Sequence, residues 1–187
     1  MNRASYTIHN KVVSGRPNGL QLRNAVIEVL QSAPPDAILD LDFGPVETLD
    51  FSAADELVAG LVARVNSGEL GSRRFCLLGL GEPVRESIDA VLELKKRVCL
   101  EIVPAGTPRV LGRISAPHRE TLEYVLARGV VTAPEVAAHF WPEPNMTAAT
   151  NRLNTLADSG LIVRRLSPGG PKGTRLVFES IVAARPE

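Results

Sequence analysis

"APEVAAHFWPEPNMTAATNRLNTLADSGLIVRRLSPGGPKGTRLVF", residues 133–178, is the stretch on which the reading of this chain turns. It reads as helix, turn, helix and a two-stranded hairpin. Thr132 is a suitable N-cap, with Pro134 in the first turn and Glu135 placed to close a capping box. Val136, Ala137 and Phe140 give the first helix its apolar stripe. Trp141-Pro142-Glu143-Pro144 ends it, because each proline disfavours helix in the residue before. Asn145 or Thr147 caps the next helix, which runs to about Ser159 with Met146, Ala149, Leu153 and Leu156 facing inward. Its other face carries Thr147, Ala148, Asn151, Arg152, Asn154 and Thr155. Gly160 is a left-handed helix stop. Leu161–Leu166 and Arg175–Glu179 are strands, joined by the loop Ser167-Pro168-Gly169-Gly170-Pro171-Lys172-Gly173.

A second helix with small polar residues outward, then "LADSGLIVRR" and a Gly/Lys hairpin, resembles the winged helix-turn-helix family over Ser115–Ile181. That resemblance implies double-stranded DNA as partner, with the second helix in the major groove and the wing along the backbone. Short side chains let such a helix approach base edges; Asn pairs with adenine and Arg with guanine. The implied contact residues are Thr147, Ala148, Thr150, Asn151, Arg152 and Asn154 on the helix. Arg164, Arg165, Lys172 and Arg175 on the hairpin suit phosphates, which supply affinity without sequence. The other use of such a domain is protein contact or dimerisation.

The charge distribution agrees with a DNA reader. The 187 residues carry equal numbers of acids and bases. Residues 1–107 hold 11 Lys/Arg against 14 Asp/Glu, whereas residues 108–187 hold 10 against 7. The basic excess therefore lies in the half with the helix pair. Cys76 and Cys99 stand in apolar, strand-like runs and read as buried free thiols of a reducing compartment. Met1–Asn10 has no apolar core of a signal peptide, and no run is long enough to span a membrane. The expectation is a soluble, cytoplasmic protein.

The first half alternates strands with amphipathic helices, which predicts an α/β fold with a parallel or mixed sheet. Ser5–Val13 reads as a strand, Ser14–Gly19 as a turn, Leu20–Gln31 as a helix and Ala37–Phe43 as a strand. Ser52 is placed to cap a helix to about Asn66, with Leu57, Val58, Leu61 and Val65 inward. Arg74–Leu78 is a strand, and Pro83 starts a helix striped by Val84, Ile88, Val91, Leu92 and Leu94. Val98–Val103 is a last strand, Pro104–Pro108 the linker, and Arg109–Ile114 a short strand beyond it. The expected division is 1–106 and 107–187.

The strand "ILDLDF", then "GPVETLDFSAADEL", then a long helix resembles the STAS fold of anti-sigma-factor antagonists, and more closely its STAS-like relatives, over Val12–Val103. The later "LLGLGEPVRESIDAVLEL" fits the strand, loop and helix that follow in such domains. The resemblance implies oligomerisation, as a homodimer, or sensing of a regulatory protein partner. It also implies a phosphorylation switch at Ser52, where a helix N-terminus favours added negative charge. The family motif has a second Ser/Thr where this chain has Phe51 and Gly where it has Ala53. The simpler reading makes Ser52 an N-cap. The acids Asp40, Asp42, Glu47, Asp50, Asp55 and Glu56 form either a partner surface or a solvated rim.

Catalytic patterns are not evident. Gly79-Leu80-Gly81 lacks a dinucleotide loop's third glycine. His9, His118 and His139 are scattered, with neither each other nor the cysteines at metal-ligand spacing. His139 reads as a packing or phosphate-contact residue, and Trp141 as closing the winged-helix core with its N–H at the surface. Ser14, Ser52 and Ser115 lack a nucleophile-elbow context, and Asp40 and Asp42 do not read as an acid/base pair. No metal, cofactor or catalytic residue is expected. The expectation is a DNA-binding transcriptional regulator; the alternative is a regulatory adaptor of the anti-sigma-antagonist type.

Overall fold

A computed structural model describes residues 2–104, 107–168 and 173–182. The chain divides into two compact units, Met1–Arg113 and Ile114–Glu187.

Unit 1 is a two-layer α/β fold with a mixed sheet. Its strands are β1 (Arg3–Thr7), β2 (Val12–Val13), β3 (Ile38–Asp42), β4 (Thr48–Leu49), β5 (Arg74–Leu78), β6 (Val98–Ile102) and β7 (Arg109–Gly112). The main sheet has the order β1-β3-β5-β6-β7, with the first four parallel and β7 antiparallel at the edge. β2 and β4 form a separate short parallel pair. The helices are α1 (Arg16–Ser32), α2 (Phe51–Ala54), α3 (Gly60–Asn66) and α4 (Glu82–Leu94). Each crossover among the first four strands steps the same way, so right-handed connections set the helices on one face. There Val26, Leu30, Leu57, Leu61, Val84, Ile88, Leu92 and the sheet residues Leu39, Leu41, Phe75 and Leu77 share one core.

α2 runs into α3 through a π turn, Asp55–Ala59, in which the Gly60 amide reaches back to the Asp55 carbonyl. Two arginines cap carbonyls of this turn: Arg23 donates to Glu56 O at 3.2 Å and Arg97 to Ala59 O at 3.2 Å. α1 crosses α2 closely at Gly19, where an added Cβ would stand 2.6 Å from the Ala53 carbonyl oxygen.

Unit 2 contains α5 (Ala116–Arg128), β8 (Val130–Val131), α6 (Ala133–Phe140), α7 (Met146–Asp158), β9 (Ile162–Pro168) and β10 (Thr174–Ser180). The strands form an antiparallel sheet in the order β8-β10-β9. Leu122, Val125, Val136, Ala149, Leu153, Leu156, Ile162 and Phe178 are buried.

The differences from the sequence reading have local causes. The strand expected over Ser5–Val13 stops at Thr7 and resumes only as β2, since polar His9-Asn10-Lys11 intervenes. α1 starts four residues earlier than expected, at Arg16, with Pro17 in its first turn. Gly19, read as a turn, lies inside α1, and a glycine stands there because the contact with Ala53 admits no side chain. Leu94, read as inward, is 66% exposed at the end of α4. Met146, also read as inward, is 44% exposed because it is the first residue of α7. Arg109–Gly112 does not lie beyond the linker: it pairs with β6, so the division falls at 113/114. Part of the linker, 105–106, lies outside the described residues.

The two cysteines are free and buried, on neighbouring strands. Leu77 lies opposite Glu101, which puts Cys99 opposite Phe75 and its side chain on the other face from Cys76. Burial pushes the Cys76 thiol up to about 12, and Cys99 shifts the same way.

Candidate functional site

The clearest presented surface is α7 with the neighbouring hairpin. Asn145 starts α7 by accepting the Ala148 amide at 2.9 Å. The helix ends in a Schellman motif: the Gly160 amide reaches Ala157 O at 3.1 Å and the Leu161 amide reaches Leu156 O at 3.0 Å. Gly160 supplies the required positive φ, 82°. Ala149, Leu153, Leu156 and Ala157 fix the helix on the core. Thr147, Asn151, Thr155 and Asp158 are therefore left as an exposed stripe with half-buried Asn154 beside it.

The sequence-derived site residues divide into three groups. Thr147 and Asn151 are exposed, and Ala148 and Thr150 flank them half-buried. Arg152 is turned aside: its guanidinium lies 4.6 Å from the Trp141 ring centre and 5.6 Å from that of Phe140. Burial, and then the Arg152 charge, hold His118 below its ordinary imidazole value. Asn154 and Arg164 form a third arrangement with Asp158, which sequence reading missed. Arg164 donates to Asn154 Oδ1 at 2.9 Å and to Asp158 Oδ1 at 3.0 Å. The Asp158 charge at the end of the stripe is thereby offset. Arg165 pairs with Glu179 at 3.2 Å, while Arg175 is exposed and has no ion pair among the described residues. Lys172 lies outside the described residues.

α6 holds this assembly from behind. The Glu135 carboxylate accepts from the Thr132 hydroxyl at 2.8 Å and the Thr132 amide at 2.6 Å. These bonds, the hydroxyl's first, hold Glu135 below its usual carboxylate range. His139 stacks on Tyr124 with ring centres 4.2 Å apart, and Phe140 meets both rings edge-on. Trp141 is half-buried, with Phe140 on one side and Arg152 over its ring. α5, including Tyr124, escaped the sequence reading. Only Thr121, Leu122 and Val125 of that helix are buried, too thin a stripe to show a period.

In unit 1 the helix start at Ser52 is built differently from expectation. Asp50, not Ser52, is the N-cap, accepting from the Ala53 amide at 2.8 Å. Its second oxygen takes the Ser14 hydroxyl at 2.6 Å and the Gly15 amide at 2.8 Å. The Ser14 bond, followed by the amides, lowers the Asp50 pKa. Asp is as good a cap as Ser, so "LDFS" allowed either. Ser52 is then a half-buried residue of the first turn, its hydroxyl without a hydrogen bond among the described residues. Phe51 beside it is 45% exposed.

The nearby acids are mostly engaged within the unit. Asp55 pairs with Lys95 at 3.2 Å and Arg16 at 3.5 Å; Glu56 pairs with Arg16 at 2.8 Å and Arg23 at 3.1 Å. Glu47 pairs with Lys11 at 2.7 Å. Asp40 and Asp42, two apart on β3, share a face, but Asp40 pairs with Arg3 while Asp42 accepts from the Gly44 amide. Buried Glu101 is gripped by Arg85, whose Nε lies 3.0 and 2.9 Å from its two oxygens.

Among the described residues, no group of three or more His, Cys, Asp or Glu stands where it could hold a metal ion. A cleft of about 120 Å³ is lined by Asn10, Val12, Val13, Asn18, Gln21 and Leu22. It is smaller than the roughly 300 Å³ at which ligand pockets begin. No helix among the described residues is long and apolar enough to cross a membrane. Comparison with known proteins finds no matching family model, curated protein or solved structure.

Proposed function

We propose that unit 2 is a winged helix that binds double-stranded DNA, and that the chain is a DNA-binding transcriptional regulator. In this reading α7 lies in the major groove and the β9–β10 hairpin lies beside it as the wing. Unit 1 is STAS-like and serves homodimer formation or the sensing of a regulatory partner. The observation that carries the reading is the exposed stripe Thr147, Asn151 and Thr155 on a helix anchored at both ends. Short polar side chains permit close approach to base edges, and Asn151 has the chemistry to pair with adenine. The Asp158 charge that would repel phosphate is met by Arg164. Arg175 remains available to a phosphate. Arg152 acts through Trp141 as a positioning residue for α7, in place of the guanine contact its residue type suggests.

Fluorescence anisotropy of a labelled random duplex, at low and rising salt, tests the proposal. Binding that weakens with salt supports it. Failure of the purified 187-residue chain to bind at low salt overturns it.

A second reading, the phosphoswitched adaptor, is favoured by one observation: the half-buried Ser52 hydroxyl, unbonded among the described residues, beside exposed Phe51. Equal recovery of a partner by Ser52→Asp and Ser52→Ala in a pull-down removes it. The internal pairing of Asp55 and Glu56 weighs against an acidic docking surface there.

A further inference from the structure

Asn151 and Asn154 carry the same carboxamide on the same face of α7, three residues apart, but their surroundings differ. Asn151 is exposed, and its carboxamide has no hydrogen bond among the described residues. Asn154 is half-buried, and its Oδ1 accepts from Arg164 Nη1 at 2.9 Å. Arg164 is itself held at a second point, donating through Nη2 to Asp158 Oδ1 at 3.0 Å, one turn further along α7.

A carboxamide has an accepting end and a donating end, fixed in one plane. With Oδ1 turned to Arg164, Nδ2 is the end left for a partner, and it has no hydrogen bond among the described residues. The reverse orientation would set Nδ2 against the Arg164 N–H, donor against donor. Asn154 therefore presents donors, whereas Asn151 offers donor and acceptor together.

We propose that Arg164 is a positioning residue that makes Asn154 a reader of guanine. The proposal rests on the DNA-binding reading above. Asn pairs with adenine through its oxygen and nitrogen at once, which Asn151 can do and the turned Asn154 cannot. Among the four bases only guanine shows two adjacent acceptors in the major groove, N7 and O6, and these match an amide nitrogen with two hydrogens. Adenine and cytosine put an exocyclic amine there, donor against donor. Three residues of helix place the two asparagines roughly 4.5 Å apart along α7, enough to reach different base pairs. The bound site then holds a guanine and an adenine at a fixed spacing.

The test is selection of bound duplexes from a randomised pool by the 187-residue chain, followed by anisotropy titration of the selected duplex. The wild type is expected to select a guanine at one position and an adenine at another. Replacing that guanine by 7-deazaguanine, which lacks the N7 acceptor, should weaken wild-type binding about threefold to tenfold and leave Asn154→Ala binding unchanged. Arg164→Ala frees Oδ1 and is expected to exchange guanine for adenine at that position, while the adenine read by Asn151 stays. An Arg164→Ala chain that binds all duplexes more weakly but still selects the guanine makes Arg164 a phosphate contact or scaffold and overturns the proposal. The 7-deazaguanine measurement on the wild type needs no variant, so it stands whatever the substitutions do to the fold; unchanged wild-type affinity there overturns the guanine assignment. Duplex binding without a selected guanine also overturns it and leaves DNA binding intact. A wild-type chain that binds no duplex overturns both readings.

Discussion

Two helix starts in this protein are made from similar parts and do opposite things. α2 begins at Asp50, whose carboxylate is shared among Ala53, Ser14 and Gly15. Two of those three partners lie about 35 residues earlier, so the cap is also a tertiary joint. α7 begins at Asn145, which among the described residues accepts from its own first turn alone. The first start ties α2 to the chain just before α1, and the acids that follow are paired inside unit 1. The second is local, and the residues following it present an open stripe. One capping rule thus yields either a fastening or a display, depending on what else reaches the cap.

The contrast can be strained from the fastened side first. Gly19→Ala drives a methyl into the Ala53 carbonyl and is expected to destabilise the protein by about 1–3 kcal/mol in denaturant unfolding. On the displayed side, Asn151→Ala should weaken binding to a selected duplex by about 1–3 kcal/mol while leaving the unfolding midpoint within error. A fall in stability with no fall in affinity would make Asn151 part of the scaffold. Asp50→Ala removes cap and joint together and should cost about 1–2 kcal/mol, against about 1 kcal/mol or less for Asn145→Ala. Equal losses at the two caps would erase the difference. Arg175→Ala should weaken all duplexes alike and reduce the salt slope by about one unit, read from anisotropy titrations.

The smallest effect is in acid. Asp50 and Glu135 both have folded-state pKa values below their unfolded ones. Their contribution to stability is full above the unfolded values, near pH 4, and fades as pH falls through the lower folded values. Thermal unfolding followed from pH 7 to pH 3 should show a shallower acid decline in Asp50→Asn.

Periodic stretches were legible in the sequence. The strands Arg74–Leu78 and Val98–Ile102, the capping box at Thr132 and the stop at Gly160 stand where their local chemistry placed them. What the sequence did not disclose depended on partners far along the chain. Gly19 looked like a turn residue until Ala53 was seen against it. Ser52 looked like a cap until Ser14 and Gly15 reached Asp50. The π turn carries no signature of its own in the sequence, and the arginines that bond its carbonyls, Arg23 and Arg97, lie 33 and 38 residues from the groups they reach. At the candidate site the outward residues of α7 could be listed from spacing, but their engagements could not. Arg152 folds back on Trp141 and Arg164 is held by Asn154 and Asp158 because of side-chain directions that spacing alone leaves open.

The edge strand β7 governs how the protein can be divided. Gly112 donates to Asp89 at 2.6 Å, Leu111 is buried, and Arg109 approaches Glu101 at 3.7 Å. A fragment ending at 106 would strip that border from the sheet, leaving β6 unzipped along one side and prone to stick to other chains. Fragments for separate expression should therefore part after Arg113, and protease nicking between 104 and 108 should release no stable first half without the strand still clinging to it.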